Sequence, residues 1–305
     1  MISDLKTQIR KYFVGKEELV ENLLICFFAG GHVLLEDVPG VGKTTLASTL
    51  AHSVDCDFGR IQFTPDTLPT DVMGTEIYNM KTGEFEYRKG SIMHQVVLAD
   101  EINRTSPKVQ SALLEAMSEG QTTVGGKKYD LPKPFMVIAT QNPVEFMGTY
   151  PLPEAQMDRF MMKLSIGYPG ENEELRMVSN MLSGTDIGTI ESIVSSKDII
   201  DIQEKVTKVT VKPEIQKYAY EIVEGTRNNE NFVLGASPRA LLALIKASQA
   251  KAFIDGRDFV KPDDVKSLAY VVLGHRLVLT SEAKFAKADV KKLLDAIVVA
   301  VKVPH

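Results

Sequence analysis

Only two cysteines, Cys26 and Cys56, occur among the 305 residues. That is too few for a disulfide framework, and reduced, buried thiols are the expectation. Long apolar runs are also missing. The longest near the N-terminus, Leu23 to Gly31, is too short to span a bilayer. The opening MISDLKTQIRKYF has no apolar core followed by a cleavage site, so no signal peptide is read there. No membrane insertion and a cytoplasmic location are therefore expected. Neither sign of charge dominates: the net charge of -5 gives no global pull toward nucleic acid or anionic membranes, although a local basic groove could hide in that average. Repeats and low-complexity tracts do not stand out. What is present, 44% hydrophobic and 25% charged residues, fits an ordinary globular protein long enough for two domains with separate cores.

The pattern along the chain divides near residue 170. Val20, Leu23, Leu24, Phe27 and Phe28 predict an amphipathic helix over 16–28, stopped by Gly30-Gly31. A short buried strand over 32–36, a loop and a helix over 44–54 follow. Further buried strands are predicted over 60–63, 95–99, 135–140 and 162–166, with a helix over 109–119. Such alternation implies a parallel sheet covered on both faces, an α/β core over 1–170. Val124-Gly-Gly-Lys127 predicts a hairpin turn attached to it. From 171 to 305 the periodicity predicts helices over 171–183, 198–206, 212–225, 238–252, 262–272 and 289–300, hence a helical second domain. The Gly-, Ser- and Thr-rich stretch from Ser183 to Ser196 is the loosest.

Four polar constellations punctuate this pattern. In EDVPGVGKT, residues 36–44, a glycine-bearing turn joins a strand to a helix. There, backbone N–H groups and the positive helix end bind phosphate. Gly40 and Gly42 permit close backbone approach, Lys43 can reach terminal phosphates, and Thr44 can ligate magnesium. Asp37 stands where the usual pattern has glycine; Asp tolerates left-handed backbone better than most residues, and its side chain need not face the phosphates. Second, VVLADE ends a buried strand in Asp100 and Glu101 at the sheet edge where α/β ligands bind. These adjacent acids repel unless a cation is present; Asp100 would hold magnesium through water, and Glu101 would orient and deprotonate the attacking water. Third, FMVIATQNP ends another strand in amides and would set Asn142 beside the γ-phosphate. Fourth, GASPRA starts a helix with Ser237 as N-cap, Pro238 at the first position and Arg239 in the first turn. A cation at that already positive end suggests a nearby anion.

Together, LLEDVPGVGKT, VVLADEINR, VIATQNP, GTYPLPEAQMDRF and LGASPRA resemble, in order, the segments of the MoxR family of AAA+ ATPases. The resemblance covers nearly the whole chain, from Val14-Gly15 to about Arg276, and the motifs are specific as a set. It implies a P-loop NTPase (AAA+) core followed by a small all-α lid, with ATP and Mg2+ as cofactors. It assigns Lys43, Thr44, Asp100 and Glu101 to the Walker A and B groups, with magnesium at Thr44 and Asp100. Asn142 becomes sensor 1 and Arg239 sensor 2. Val14, Gly15, Pro39, Gly40, Val41, Gly42, Thr45 and Arg239 join Lys43 and Thr44 around the nucleotide, Phe13-Val14-Gly15 forming the adenine-side wall. Residues 74–94 and 120–132 fall where the clade carries its helix-2 insert and its hairpin before sensor 1, elements expected to touch substrate. Asp at position 37 is read as a family variant. The resemblance also implies a ring, commonly a hexamer, in which a neighbour's arginine completes each site. Among Arg10, Arg60, Arg88, Arg104 and Arg159 the last matches best by position, with Arg104 the alternative; the residues alone do not separate a finger from a helix-end arginine.

The function this implies is an ATP-hydrolysing, chaperone-like remodeller of protein clients, in maturation or metal-cofactor insertion. A von Willebrand factor A-domain partner would be a separate polypeptide, because this chain has no room for one. A nucleic-acid motor is the alternative from another class, with Gly125-Gly-Lys-Lys128 its only suspect basic element and the acidic balance against it. A nucleotide-bound scaffold with little turnover is a third reading, opposed by the retention of Glu101, Asn142 and Arg239.

Overall fold

The computed structural model describes residues 1–38, 40–142, 149–182 and 190–304. It divides into two compact units: Met1–Leu23, His32–Arg159 and Leu164–Ile200 form one, and Leu24–Gly31, Phe160–Lys163 and Asp201–His305 the other.

In chain order the elements begin with α1 (Ile2–Tyr12), α2 (Glu17–Phe28), β1 (Val33–Glu36), α3 (Lys43–Ser53) and β2 (Phe58–Gln62). The short α4 (Pro69–Met73) leads into a hairpin of β3 (Gly74–Asn79) and β4 (Glu84–Lys89). Next come β5 (Val96–Asp100), α5 (Pro107–Glu119), a second hairpin of β6 (Gln121–Val124) and β7 (Lys127–Asp130), and β8 (Met136–Gln141). A short α6 (Glu154–Met157) precedes β9 (Met162–Leu164) and α7 (Glu171–Leu182).

The central sheet has the order β2-β5-β8-β1-β9. Its β1–β8, β5–β8 and β2–β5 pairings are parallel. Val96–Ala99 and Met136–Ala139 are wholly buried, as strands covered on both faces require. Because these strands run the same way, Glu36, Gln62, Asp100 and Gln141 arrive together at the carboxyl ends, with Glu36 opposite Gln141 and Gln62 opposite Asp100. This is the parallel α/β core that the alternation predicts.

Periodicity does not flag α1, whose Leu5 and Ile9 are buried in an otherwise polar run. Strand β9 stops at Leu164 rather than 166, because the following residues turn to a side-chain partner described below. The two hairpins join each other: Tyr87 stacks on Tyr129 at 3.8 Å between ring centres, and Lys127 pairs with Glu76 at 3.4 Å.

The remaining elements are α8 (Ser196–Thr207), α9 (Pro213–Arg227), β10 (Phe232–Leu234), α10 (Pro238–Ile254), α11 (Pro262–Leu273), β11 (Val278–Leu279), α12 (Ser281–Phe285) and α13 (Val290–Ala300). Proline opens α9, α10 and α11, where its missing N–H has no intrahelical partner to lose. The core of this unit includes Tyr218, Ile222, Leu244, Leu268, Val272 and Leu294. It is helical as predicted, with the addition of a small antiparallel β10–β11 ribbon. No helix among the described residues is long and apolar enough to cross a membrane.

Candidate active site

Two glycines shape the loop after β1. Gly40 (φ 85°) and Gly42 (φ 90°) both lie in left-handed backbone, which a side chain would strain. Gly42 directly precedes α3, so Lys43, Thr44 and Thr45 form the first turn of that helix. Phe13, almost fully buried, packs against the loop: a Cβ on Gly42 would lie 3.5 Å from its ring, and one on Gly15 would clash at 2.5 Å. Phe13-Val14-Gly15 is thereby seated beside the phosphate loop, with Val14 and Val41 buried. Pro39 lies outside the described residues, as do residues 143–148 after Asn142.

Gly40, Gly42, Lys43, Thr44 and Thr45 share one cleft, of about 420 Å3, with Arg60, Gln62, Asp100, Glu101 and Asn142. The structure thus brings the loop, the two acids and the amide together. The Lys43 ammonium donates to the Asp37 carbonyl at 2.6 Å. Burial pulls its pKa down, opposed by the charges of Asp37, Asp100 and Glu101.

Asp37 itself does not use left-handed backbone; among the described residues only Asp55, Glu101 and Lys287 do so without being glycine. Its side chain explains its presence. The buried carboxylate accepts hydrogen bonds from Ser165 Oγ (3.0 Å), Ile166 N (2.5 Å) and Gly167 N (3.0 Å). The segment after β9 is thus bonded to Asp37 instead of continuing as a strand. Glycine at position 37 could make none of these bonds.

At the exit of β5 the contacts are of a different kind. Asp100 Oδ1 accepts from Thr140 Oγ1 at 2.7 Å, and Oδ2 from Arg60 Nη2 at 2.7 Å. Glu101 has φ 58° and ψ 50°, a strained conformation for a non-glycine residue, costing about 1–2 kcal/mol. Its backbone N–H donates to Thr140 Oγ1 at 2.9 Å. Its Oε2 accepts from Gln62 Nε2 at 2.8 Å and faces Arg104 Nε at 3.2 Å. The repulsion expected between adjacent acids is therefore met by Arg60 and Arg104, with Lys43 in the same cleft.

Gln62 is not among the site residues read from sequence, and Arg60 enters there only among the candidate finger arginines. The available signal was the alternation along β2, which exposes residues 58, 60 and 62 to a common side. It points to the cleft only once parallel pairing with β5 is known.

The remaining arginines differ in how they are engaged. Arg10 pairs with Glu17 at 2.9 Å, while Arg60 and Arg104 are bound to the acids of their own chain. Arg88 lies on the exposed hairpin strand β4. Arg159, just after α6, has no side-chain hydrogen bond or ion pair among the described residues. Arg239 occupies the first turn of α10, exposed, behind the Ser237 cap that accepts from Ala240 N at 3.1 Å.

The donor set also fits magnesium. Asp100 and Thr44 offer oxygens to one cleft. That matches an ion held by one carboxylate, a hydroxyl, water and substrate phosphates better than one held in an all-protein cage.

Comparison with known proteins points the same way. Residues 32–162 match the ATPase family associated with various cellular activities (AAA), and residues 224–297 match the AAA lid domain. The chain is 53% identical to the uncharacterized protein YeaC of Bacillus subtilis over 97% of its own length and 92% of that protein's. It is 41% identical to the chaperone MoxR1 of Mycobacterium tuberculosis, over 98% of this chain and 81% of that one. A crystal structure from Cytophaga hutchinsonii, of a protein assigned as an ATPase, shares 42% identity with a TM-score of 0.93, covering 100% of this chain and 95% of the other. With cleft, fold and relatives in agreement across nearly its whole length, the chain belongs to the MoxR family of AAA+ ATPases.

Proposed function

We propose that this AAA+ ATPase hydrolyses magnesium-bound ATP in the cleft between the β1 loop and the β5 exit, and uses the cycle to remodel protein clients. The carrying observation is that Gly40, Gly42, Lys43, Thr44 and Thr45 line one cavity with Asp100, Glu101 and Asn142. A phosphate cradle, two carboxylates and an amide are the parts that phosphoryl transfer to water requires.

Lys43 and the loop's N–H groups bind the terminal phosphates, flanked by Val41 and the Val14-Gly15 wall; Pro39 keeps the same assignment by family resemblance. Thr44 and Asp100 would hold Mg2+, which would supply positive charge to offset that of the phosphates. Glu101 orients a water molecule and takes its proton as the water oxygen bonds to the γ-phosphorus. The bond to the bridging oxygen breaks, releasing ADP and phosphate. Asn142 steadies that water beside the γ-phosphate. Arg239 carries the sensor 2 role by the same resemblance.

A ring, with a hexamer as the family expectation, supplies the last cation from a neighbouring subunit. Arg159 suits that role better than Arg104, because Arg104 is committed to its own Glu101 whereas Arg159 has no partner among the described residues. Client contact is assigned to the joined hairpins, where Tyr78 and Phe85 meet edge to face and Met80 is 90% exposed. The name of the relative MoxR1, a chaperone, supports the remodelling role. Maturation or metal-cofactor insertion, together with a separate von Willebrand factor A-domain protein, is the form that role takes in our reading. Lys127 of the basic hairpin tip is paired with Glu76, which favours a protein client over nucleic acid.

The test is ATP hydrolysis measured against protein concentration. Activity per subunit should climb as rings assemble, and Arg159→Ala should remove the climb while sparing ATP binding. Activity independent of concentration would refute the arginine supplied in trans. No hydrolysis at any concentration would leave only a nucleotide-bound scaffold.

A further inference from the structure

Strand β2 exposes Arg60 and Gln62 on one side, and its register with β5 sets Gln62 beside Asp100. From there Arg60 Nη2 reaches Asp100 Oδ2 at 2.7 Å and Gln62 Oε1 at 2.8 Å. The other Asp100 oxygen is held by Thr140. Both carboxylate oxygens are therefore engaged, and the one bonded to Arg60 carries a cation.

Burial separates the two bonds. The Thr140 hydroxyl is fully buried and fixed on β8. The Arg60 side chain is 48% exposed, against 15% for Asp100, so the arginine can swing away into water while the carboxylate stays. Arg60 also lines the cleft that holds Lys43 and Thr44. A guanidinium released there presents a planar fork of donors suited to phosphate oxygens.

We propose that Arg60 is an exchangeable counter-cation for Asp100: in the metal-free state it neutralises the carboxylate that faces the nucleotide phosphates, and it would be released when magnesium is held there. Resting on the nucleotide and magnesium assignment above, this makes Arg60 a binding and positioning residue that tunes how strongly nucleotide binding depends on the metal. Two adjacent carboxylates facing a polyphosphate without metal would repel it, and a tethered arginine offsets that repulsion.

The experiment is calorimetric titration of the full chain with ATP, once with magnesium and once with EDTA, for the wild type, Arg60→Ala and Arg60→Lys. Arg60→Ala should weaken binding chiefly in EDTA, raising the ratio of the EDTA Kd to the magnesium Kd by about tenfold or more. Arg60→Lys, which keeps the charge, should recover most of the wild-type ratio. An unchanged ratio in Arg60→Ala, or an equal shift in Arg60→Lys, overturns the proposal. Absence of ATP binding by the wild type would overturn the nucleotide assignment itself, and this proposal with it.

Discussion

The exits of β1 and β5 both place an aspartate at the same edge of the sheet, yet the two carboxylates are treated in opposite ways. Asp37 is buried and saturated by one hydroxyl and two backbone N–H groups from the segment after β9. Two of those donors are backbone groups, which cannot swing away as a side chain can. Asp100 keeps one oxygen on the buried Thr140 hydroxyl, but its other oxygen and the Glu101 carboxylate are held by Arg60, Gln62 and Arg104, long side chains with a route to solvent. The buried acid meets mainly backbone donors, whereas the acids assigned to the reaction meet mainly flexible side chains. β1 is pinned at its other end too: His32 accepts from Val137 N through Nδ1 at 3.0 Å and donates to the Met117 carbonyl through Nε2 at 3.1 Å. The phosphate loop therefore hangs from a strand anchored at both ends.

The largest effect should come from Asp37→Gly, a change that restores the usual phosphate-loop pattern. It strands three donors around a buried site, at about 1–3 kcal/mol each. A loss of roughly 3 kcal/mol or more in chemical denaturation is expected. Unchanged stability would erase the contrast between the two exits.

The second effect is a pH dependence set by His32. Burial lowers its pKa from 6.5 to about 4, despite the hydrogen bond to Met117. Between those values the unfolded chain binds the proton and the folded one does not. Its contribution is therefore complete above pH 6.5 and is lost as the pH falls toward 4, by about 3 kcal/mol in all. His32→Gln should remove that step from the stability–pH curve. Some slope should remain, because burial also lowers the pKa of His275. Parallel curves for the two proteins would mean that β1 is not anchored through this ring.

The smallest effect belongs to the β5 exit. Gln62→Ala removes one donor from Glu101 and leaves a more basic, less restrained carboxylate. Stability should move by no more than about 0.5 kcal/mol, and basal ATP turnover should rise a few-fold. A destabilisation as large as that of Asp37→Gly would make the two exits equivalent after all.

How much of this was legible in the sequence follows the range of the interactions. β1, β5, β8 and most of the helices announce themselves through local hydrophobic patterns, because their burial is decided within a few residues. The loop glycines and the VVLADE acids were readable for the same reason. Asp37 was visible only as an oddity, since its partners lie 128 to 130 residues further along. Locally its only rationale is tolerance of left-handed backbone, which the residue does not use; the carboxylate's distant bonds account for it instead. Arg60 and Gln62 were hidden by β2's mixed composition and acquire meaning only through its register with β5. α1 was masked by charge: two buried residues in eleven give little local signal.

The central claim is that the cleft performs hydrolysis through Glu101, apart from its binding of nucleotide. The most direct measurement compares ATP affinity and phosphate release in Glu101→Gln. The amide keeps the side chain's size but cannot take a proton from water. ATP should bind within about a factor of three of the wild type, while phosphate release falls at least about 100-fold. Near-normal turnover in that variant would contradict the account.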